Sequence, residues 1–407
     1  MMRPKVVLAF SGGLDTQYCA VWLREQGYDV HAITVNTGGF TPDDLAAIRT
    51  AAQRAGVANF AVVDGRGELF RDVIRYLIAA NATRGGVYPL SVSAERVVQA
   101  RRCAQHAVEI GAAAVAHGST GAGNDQVRFD VALRVFAPGV QILTPIRDQS
   151  LSREQETAYL AKHNIVIPPK TTKYSVNRGL WGTTIGGVET HRSDGVLPEE
   201  AYVVTADPAQ RPAAPQDVIL RFDAGVPVAI DGAPSEPVAL IERLNEIAAR
   251  HGVGRGMHVG DTILGIKGRV AFEAPAPVTL LSAHRELEKL VLSRNQQFWK
   301  QTLGDLYGQF VHEARFFDPL MRDIEAFLIS SQRRVTGDVW VRLHQGMATV
   351  LGATSEYSLM NSELALYGEA SRLWTSTDAA GFSKLYGVHD ELLARAGRLG
   401  DAARKGE

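Results

Sequence analysis

Short apolar runs alternate with amphipathic segments over residues 1–164. Continuous apolar runs are typical of strands buried on both faces of a parallel sheet, and they occur at 5–10, 29–39, 59–65, 112–117 and 140–146. Segments with helical periodicity lie between them, at 18–27, 43–56, 68–82 and 93–111. This alternation predicts an α/β fold with a doubly wound parallel sheet, in a first domain that we place at residues 1–167.

The pattern changes after the last of these segments. Residues 165–187 are rich in proline, glycine and threonine and show little periodicity, so we place a domain boundary at residue 168. Farther along, the sequence predicts hairpins at 218–232 and 337–354, two short strands within 261–275, and helices at 236–254, 287–314 and 319–332. We therefore expect an α+β second domain at 168–365 and a C-terminal helical arm at 366–407, with a helical pattern at 378–399.

Composition narrows the class of protein. The chain has 407 residues, of which 45% are hydrophobic and 21% charged, as in globular enzymes. Its net charge of -1 gives no field that would favour nucleic acid. Two cysteines provide neither a disulfide framework nor a metal-ligand set and suit a reducing cytoplasm. We expect no signal peptide, because the first ten residues lack a long apolar h-region and a small-residue cleavage site. We expect no membrane span, because the sequence has no apolar run of about 18 residues.

A glycine-rich loop follows the first predicted strand. Gly12 and Gly13 would let a phosphate approach the backbone, and the next helix would present free N–H groups and the positive end of its dipole. Ser11 and Thr16 add hydroxyl donors, although the loop matches neither Walker A nor G-x-G-x-x-G. Asp15 would repel phosphates unless a cation such as Mg²⁺ shares the site. The alternative is a tight turn with an N-capping aspartate.

A second glycine-rich loop follows the fourth predicted strand, in the stretch "AHGSTGAGNDQVRFD". Within nine residues it contains Thr120, Asn124, Asp125 and Arg128. Arg128 would clamp a carboxylate with two parallel hydrogen bonds, and Asp125 would accept from an ammonium group. This combination suits an amino acid better than a sugar or a base. The alternative is a solvent-exposed polar loop.

These two loops resemble known motifs. "SGGLDT" at 11–16 is similar to the PP-loop of N-type ATP pyrophosphatases, and the second loop resembles a hallmark of the argininosuccinate synthase family. Further similar stretches are "YPLSVSAER", "KYS", "RLNEIAARHGVGR" and "VTGDVWVRL". The resemblance implies a nucleotide-binding domain, a synthetase domain and a C-terminal helix used in a homotetramer.

The same resemblance implies an activity. Such a cytoplasmic ligase of arginine biosynthesis would join L-citrulline and L-aspartate into argininosuccinate through citrullyl-AMP. It would use ATP and Mg²⁺ and release AMP and pyrophosphate. No nucleic acid or membrane partner is implied.

The resemblance also assigns roles to residues. Asp15 and Asp125 would be catalytic, and no set of protein metal ligands is assigned. ATP would be bound by Ala9, Phe10, Ser11, Gly12, Gly13, Leu14, Asp15, Thr16, Gln17, Val35 and Gly118. Aspartate would be bound by Thr120, Asn124 and Asp125. Citrulline would be bound by Tyr88, Ser93, Asn124, Arg128, Ser175, Thr184 and Asp261.

Several positions depart from the family pattern and indicate a divergent subfamily. Gln17 stands where a PP-loop usually has a hydroxyl residue. Gly260 and Phe272 stand where the family has a glutamate and a tyrosine that touch citrulline. Asp261 lies next to the lost glutamate and His258 two residues before it, so either would restore a polar contact.

Two other functions stay open at the level of sequence. One is a different PP-loop ATP pyrophosphatase that adenylates another amide or ureido substrate, such as a tRNA-modifying thiolase, which would usually need more cysteines and a basic face. The other is a catalytically silent sensor of nucleotides or amino acids. The presence of Asp15, Asn124 and Asp125 argues against this second alternative.

Overall fold

The computed structural model describes residues 3–167, 174–368 and 371–405. The strands are β1 Lys5–Ala9, β2 Asp29–Asn36, β3 Asn59–Asp64, β4 Ala114–Ala116, β5 Gln141–Leu143, β6 Tyr174–Gly179, β7 Gly182–Gly187, β8 Gln216–Asp223, β9 Val226–Ile230, β10 Ala233–Pro234, β11 Arg255–Asp261, β12 Lys267–Glu273, β13 Gly337–His344 and β14 Met347–Thr354. The helices are α1 Leu14–Glu25, α2 Pro42–Arg54, α3 Arg66–Leu69, α4 Arg75–Ala80, α5 Glu95–Glu109, α6 Asp125–Phe136, α7 Pro145–Asp148, α8 Arg153–Lys162, α9 Pro237–Arg250, α10 Pro275–Val291, α11 Arg294–His312, α12 Pro319–Gln332 and α13 Ser376–Lys405. A π-helical segment, Phe70–Ile74, joins α3 to α4.

The first five strands form the parallel sheet that the alternating pattern predicts, in the order β3-β2-β1-β4-β5. Both faces are covered, since Val7 packs into one hydrophobic cluster while Val6 and Leu8 pack into the other. The strand order reverses between β1 and β4, where Leu8 pairs with Ala116. Ligands in such sheets bind at this switch point, outside the carboxyl ends of the strands. Each of these two strands leads directly into one of the glycine-rich loops.

Helix boundaries follow local capping chemistry. Helix α1 begins at Leu14, directly after the extended Gly13, so the prediction of a start at residue 18 was wrong by one turn. The glycine-rich loop between β1 and α1 is therefore shorter than we predicted. At α2, Thr41 accepts from the backbone N–H of Asp44 and the Asp44 side chain bonds back to Thr41, which is the reciprocal cap that stabilises a first turn.

The middle of the chain contains two antiparallel sheets among the described residues, β10-β9-β8-β13-β14 and β11-β12-β7-β6. The first confirms both predicted hairpins. The second contains a hairpin, β6–β7, that the aperiodic segment did not predict, because β7 is buried along most of its length and shows no alternation. The predicted helix at 287–314 is in fact parts of two helices, since Ser293 caps α11.

The chain divides into two compact units, residues 1–357 and 358–407. The first unit contains all of the sheets in the described residues. The predicted boundary at residue 168 and Lys173 of the "KYS" stretch lie outside the described residues. The second unit contains α13, which exposes Phe382, Leu385 and Tyr386. No helix within the described residues is both long enough and apolar enough to cross a membrane.

Candidate active site

The first glycine-rich loop converges hydroxyl and amide groups on the start of α1. Gly12 has a φ of +75°, and a Cβ there would lie 3.2 Å from Ile48 Cγ1, so only glycine fits. The Ser11 hydroxyl lies 3.4 Å from the Thr16 hydroxyl and accepts from the backbone N–H of Gly13 at 3.4 Å. These groups, with the free N–H groups of the helix, form a site for an anion such as a phosphate chain.

Gln17 stabilises this loop through a hydrogen bond to its backbone. Its buried side chain donates from Nε2 to the carbonyl oxygen of Gly12 at 2.8 Å. The residue that replaces the usual hydroxyl of a PP-loop therefore braces the loop backbone. The ATP-binding assignment of Gln17 stays a prediction.

The second glycine-rich loop lies against the first. A Cβ at Gly118 would approach Asp15 Cβ to 3.2 Å, so the two loops touch through a position that lacks a side chain. His117 holds the second loop in place: its Nδ1 accepts from the backbone N–H of Ser119 at 3.3 Å, which leaves Nε2 to donate to Asp130 Oδ1 at 2.9 Å. His117 is thus committed to positioning the loop.

Asp15 forms a carboxyl pair with Glu156 of α8. Burial raises the pKa of Glu156, and the adjacent Asp15, which shares a hydrogen bond with it, raises that pKa further, to about 8. No cluster of three or more potential ligands from His, Cys, Asp and Glu occurs in the part of the chain that the structure describes. The arrangement still fits Mg²⁺, which is commonly bound by one or two carboxylates together with substrate phosphates. Asp15 would be the carboxylate that makes such a contact.

Asp125 organises two buried arginines at the start of α6. Arg96 Nε donates to its Oδ2 at 2.9 Å, and Arg128 Nη1 donates to its Oδ1 at 2.9 Å. Burial alone would raise the pKa of Asp125, but the two guanidinium groups lower it to about 2. Asn124 precedes it and accepts from the backbone N–H of Ile263 at 2.8 Å, which ties the loop to the β11–β12 turn.

An aromatic pocket lies next to this cluster. The buried Tyr88 ring stacks on His258 with ring centroids 5.7 Å apart and packs on Phe272 at 5.3 Å. Glycine makes room for these rings, because a Cβ at Gly256 would clash with Phe272 Cζ and one at Gly260 would lie 2.5 Å from His258 Nε2.

One face of the β11-β12-β7-β6 sheet carries the remaining polar groups. Thr184 lies directly opposite both Phe272 and Asn177, and cross-strand partners point to the same face. Asn177 accepts from Arg96 Nη2 at 3.2 Å, so this face covers the carboxyl ends of the parallel strands. Ser175, two residues from Asn177, shares that face.

Three of the assigned residues do not join the cluster of polar groups described above. Val35 packs in the core, where a Cβ at Gly65 would lie 3.0 Å from its Cγ1, and Thr120 is exposed on its loop. Asp261 alternates away from the His258 side of β11 and binds Lys267 at 2.7 Å. Their ligand assignments stay predictions.

Sequence reasoning gave no role to several residues of the site. Arg96 lies in the "SAER" stretch, which could have marked it, and His258 was considered only beside Asp261. Asn177, Glu156 and His312 have no local motif, because each reaches the site from an element distant in sequence.

Taken with the switch-point topology, the paired glycine loops define a nucleotide-binding protein of the PP-loop class. The model for the arginosuccinate synthase N-terminal HUP domain matches residues 5–166, and that for the arginosuccinate synthase C-terminal domain matches residues 174–393. The chain belongs to the argininosuccinate synthase family of enzymes.

Similar proteins extend over nearly the whole chain. The argininosuccinate synthase of Methanocaldococcus jannaschii is 41% identical over 95% of this chain and 97% of its own length. Those of Rubrobacter xylanophilus and Synechocystis sp. are 38% and 37% identical, over 94% and 96% of this chain and 93% and 98% of their own lengths.

Proposed function

We propose that the protein ligates L-citrulline and L-aspartate to argininosuccinate through citrullyl-AMP, with release of AMP and pyrophosphate. Family membership supports the overall reaction. One structural observation carries the proposal: Gly118 packs on Asp15, so the phosphate loop and the Asn124–Arg128 segment are neighbours at one switch point. A triphosphate on the first loop would thus lie next to an amino-acid site on the second.

In the first step, the ureido oxygen attacks the α-phosphorus of ATP, and the bond to the bridging oxygen of pyrophosphate breaks. The chain contributes by holding the leaving end of the nucleotide with the hydroxyls of Ser11 and Thr16 and the free N–H groups at the start of α1. Mg²⁺, when bound, neutralises negative charge on the phosphates next to Asp15. The ureido oxygen alone is a poor leaving group. Once it is bonded to the α-phosphorus, it can leave as part of AMP.

In the second step, the aspartate amine attacks the ureido carbon, AMP leaves with the former ureido oxygen, and the nitrogen loses its extra proton. Asp125 keeps Arg96 and Arg128 in fixed positions beside the reaction centre through hydrogen bonds of 2.9 Å to each. Arg128 also donates from Nε and Nη2 to the carbonyl oxygen of His312, so the two arginines contribute positive charge to the site while their donors hold its frame.

An isotope experiment tests the route directly. Citrulline labelled with ¹⁸O in the ureido group is incubated with ATP, Mg²⁺ and aspartate, and AMP is analysed by mass spectrometry. We expect one ¹⁸O in each AMP, because the ureido oxygen leaves on phosphorus. AMP that forms without citrulline, or without the label, would refute the proposal.

A matched pair of variants tests the phosphate loop. Thr16→Ala removes a hydroxyl from the anion site and should raise the KM for ATP about tenfold, as expected for loss of one hydrogen bond to a charged group. Thr50→Ala removes an exposed hydroxyl on α2 that only bonds its own helix and should leave the KM for ATP unchanged.

Assembly and domain roles complete the proposal. We infer that residues 1–167 bind nucleotide, that 168–365 complete the amino-acid site, and that 366–407 form the arm of a homotetramer that acts in cytoplasmic arginine biosynthesis. The exposed apolar side chains of α13 support an arm that packs on other copies. Light scattering of the full chain should give the mass of four copies, and a monomer would contradict this.

A further inference from the structure

A cationic pocket lies beside Tyr88 and is formed by Arg84, Arg128, His258 and His312. Burial, followed by the nearby charges of Arg128 and Arg84 and the contact with His258, lowers the pKa of His312 to about 3. Burial and Arg84 also lower the pKa of His258. Both imidazoles are therefore neutral near pH 7, in a site where two guanidinium groups provide the charge.

The contact with Arg128 determines the tautomer of His312. A guanidinium has only donors, so Arg128 Nη2 donates to His312 Nδ1, which lies 3.1 Å away. In a neutral ring the proton must then be on Nε2. That Nε2 is buried and has no hydrogen-bond partner in the described residues. His312 thus presents an N–H group that lacks an acceptor, which is costly in a folded protein unless a ligand supplies one.

His258 occupies the space of a missing side chain. Its Nε2 is likewise buried without a partner among the described residues. A Cβ at Gly260 would lie 2.5 Å from this nitrogen, and a Cβ at Gly85, whose φ is +60°, would lie 3.0 Å from the Cε1 of the ring. The imidazole therefore fills the volume that a side chain at position 260 would take.

The carboxyl groups nearest to this pocket are already committed. Asp125 accepts from two arginines, and Asp261 accepts from Lys267 on the other side of the strand. Glu313 accepts from Gln309 at 3.1 Å.

A fourth carboxyl group, that of Glu95, is close to Tyr88 in the same region. Its Oε2 accepts from the Thr37 hydroxyl at 3.0 Å, and its Oε1 is buried without a partner in the described residues. Burial raises the pKa of Glu95 to about 8, so this carboxyl group carries little charge near pH 7 with which to pair an ammonium ion. Within the described residues, the groups around the pocket thus suit an acceptor or an anion better than an ammonium ion.

We propose that His258 and His312 are specificity-determining residues of the ureido-substrate pocket: His312 donates from Nε2 to a ligand oxygen, and His258 fills the space beside Gly260. The pocket would then select ω-ureido carboxylates by their carboxylate group and accept those whose α-ammonium is acylated or absent. This inference rests on the proposed function, because it concerns the ureido substrate of the same reaction.

The test compares three ureido acids as acceptors in ATP- and aspartate-dependent AMP formation by the full-length protein. The probes are citrulline, Nα-acetylcitrulline and 5-ureidopentanoate. We expect 5-ureidopentanoate and Nα-acetylcitrulline to reach a kcat/KM within about tenfold of that of citrulline or above it, since no ion pair with the ammonium is lost.

Variants then locate the determinant. His312→Ala should raise the KM for the ureido acid about tenfold and leave the KM for aspartate unchanged, and His312→Gln should restore part of the loss because its amide supplies an N–H donor. His106→Ala, on α5, is the control and should change neither constant. Equal effects on both KM values would assign His312 a merely structural role and overturn the proposal for it.

A replacement at position 260 provides a second readout. In a His258→Ala background the space next to Gly260 is open, so Gly260→Glu would introduce a carboxylate that can bind an ammonium. We expect this double variant to shift selectivity toward citrulline over 5-ureidopentanoate by at least tenfold. An unchanged ratio would show that His258 does not determine specificity.

The outcomes separate the two proposals. If citrulline reacts and either analogue is more than about tenfold worse, the inference fails and the proposed function stands. If an analogue reacts and citrulline does not, the inference holds and citrulline is the wrong substrate. If no ureido acid supports AMP formation, both fail.

Discussion

Replacing Asp125 by asparagine tests whether its ion pairs with Arg96 and Arg128 hold the site together. The Asp125 side chain is 31% exposed, whereas those of Arg96 and Arg128 are 10% and 7% exposed. Asparagine keeps the size of the side chain but removes the negative charge. Its amide group would also turn a donor toward one of the two guanidinium groups. Two buried cations would then lie close together, with only the carboxyl group of Glu95, whose pKa burial raises to about 8, 3.9 Å from Arg96.

The expected loss in the free energy of unfolding follows from the two contacts of Asp125 with Arg96 and Arg128. Each hydrogen bond to a charged group contributes about 1.5–3 kcal/mol, and breaking a buried pair costs about 3–5 kcal/mol. Because water reaches part of Asp125, we expect the lower end of this range. The Asp125→Asn variant should lose about 3 kcal/mol of the free energy of unfolding. That corresponds to about 150-fold in the folding equilibrium constant.

Urea unfolding monitored by tryptophan fluorescence measures this loss. The signal is suitable because Trp181 is fully buried and its Nε1 donates to Pro89 O at 2.9 Å. Asp217→Asn is the matched control: Asp217 accepts from Arg342 at 2.7 and 2.8 Å, but both side chains are about half exposed. The control should lose about 0–1 kcal/mol.

Equal, small losses in the two aspartate variants would refute the reasoning. They would mean that burial adds nothing to the ion pairs of Asp125. The slope of the unfolding free energy against urea should stay the same in both variants, since neither is expected to change the surface exposed on unfolding.

Two further predictions concern a close backbone contact and a buried acid. Gly38 has a φ of +97°, and a Cβ there would lie 2.6 Å from Leu180 N, so Gly38→Ala should lower the free energy of unfolding by about 3 kcal/mol in the same urea assay. Because the pKa of Glu156 is raised from 4.5 to about 8, the unliganded fold binds a proton that the unfolded chain releases, and stability should fall as pH rises between these values. Glu156→Gln should reduce this fall when melting temperature is measured against pH.

Each prediction has a control within the chain. Gly27 has a φ of +87°, but no atom lies within 4 Å of the place that a Cβ would take, so Gly27→Ala should cost only the backbone strain of about 1–2 kcal/mol. If Gly27→Ala and Gly38→Ala cost the same, the close contact is unimportant. Glu154→Gln, on the exposed side of the same helix as Glu156, should keep the full pH dependence, and a variant of Glu156 that also keeps it would contradict the assignment.

Local signals in the sequence predicted much of the parallel sheet. Its strands are short, continuous apolar runs, and glycines at the ends of β1 and β4 marked both loops before any tertiary contact was known. The hairpins β8–β9 and β13–β14 were equally clear, because their polar turns separate apolar strands. The β6–β7 hairpin was missed, since its glycine- and threonine-rich strands have no period that distinguishes them from a loop.

By itself, the sequence determined the class of fold, the two glycine loops and the family, because these depend on residue type and spacing within one segment. Only the tertiary structure decided that Gly118 touches Asp15, that Asp125 is bridged by two arginines, and that His258 and His312 each bury a ring nitrogen without a partner in the described residues. These contacts join residues far apart in the chain, so burial, tautomer and charge balance at the site arise from packing and cannot be read from any single stretch.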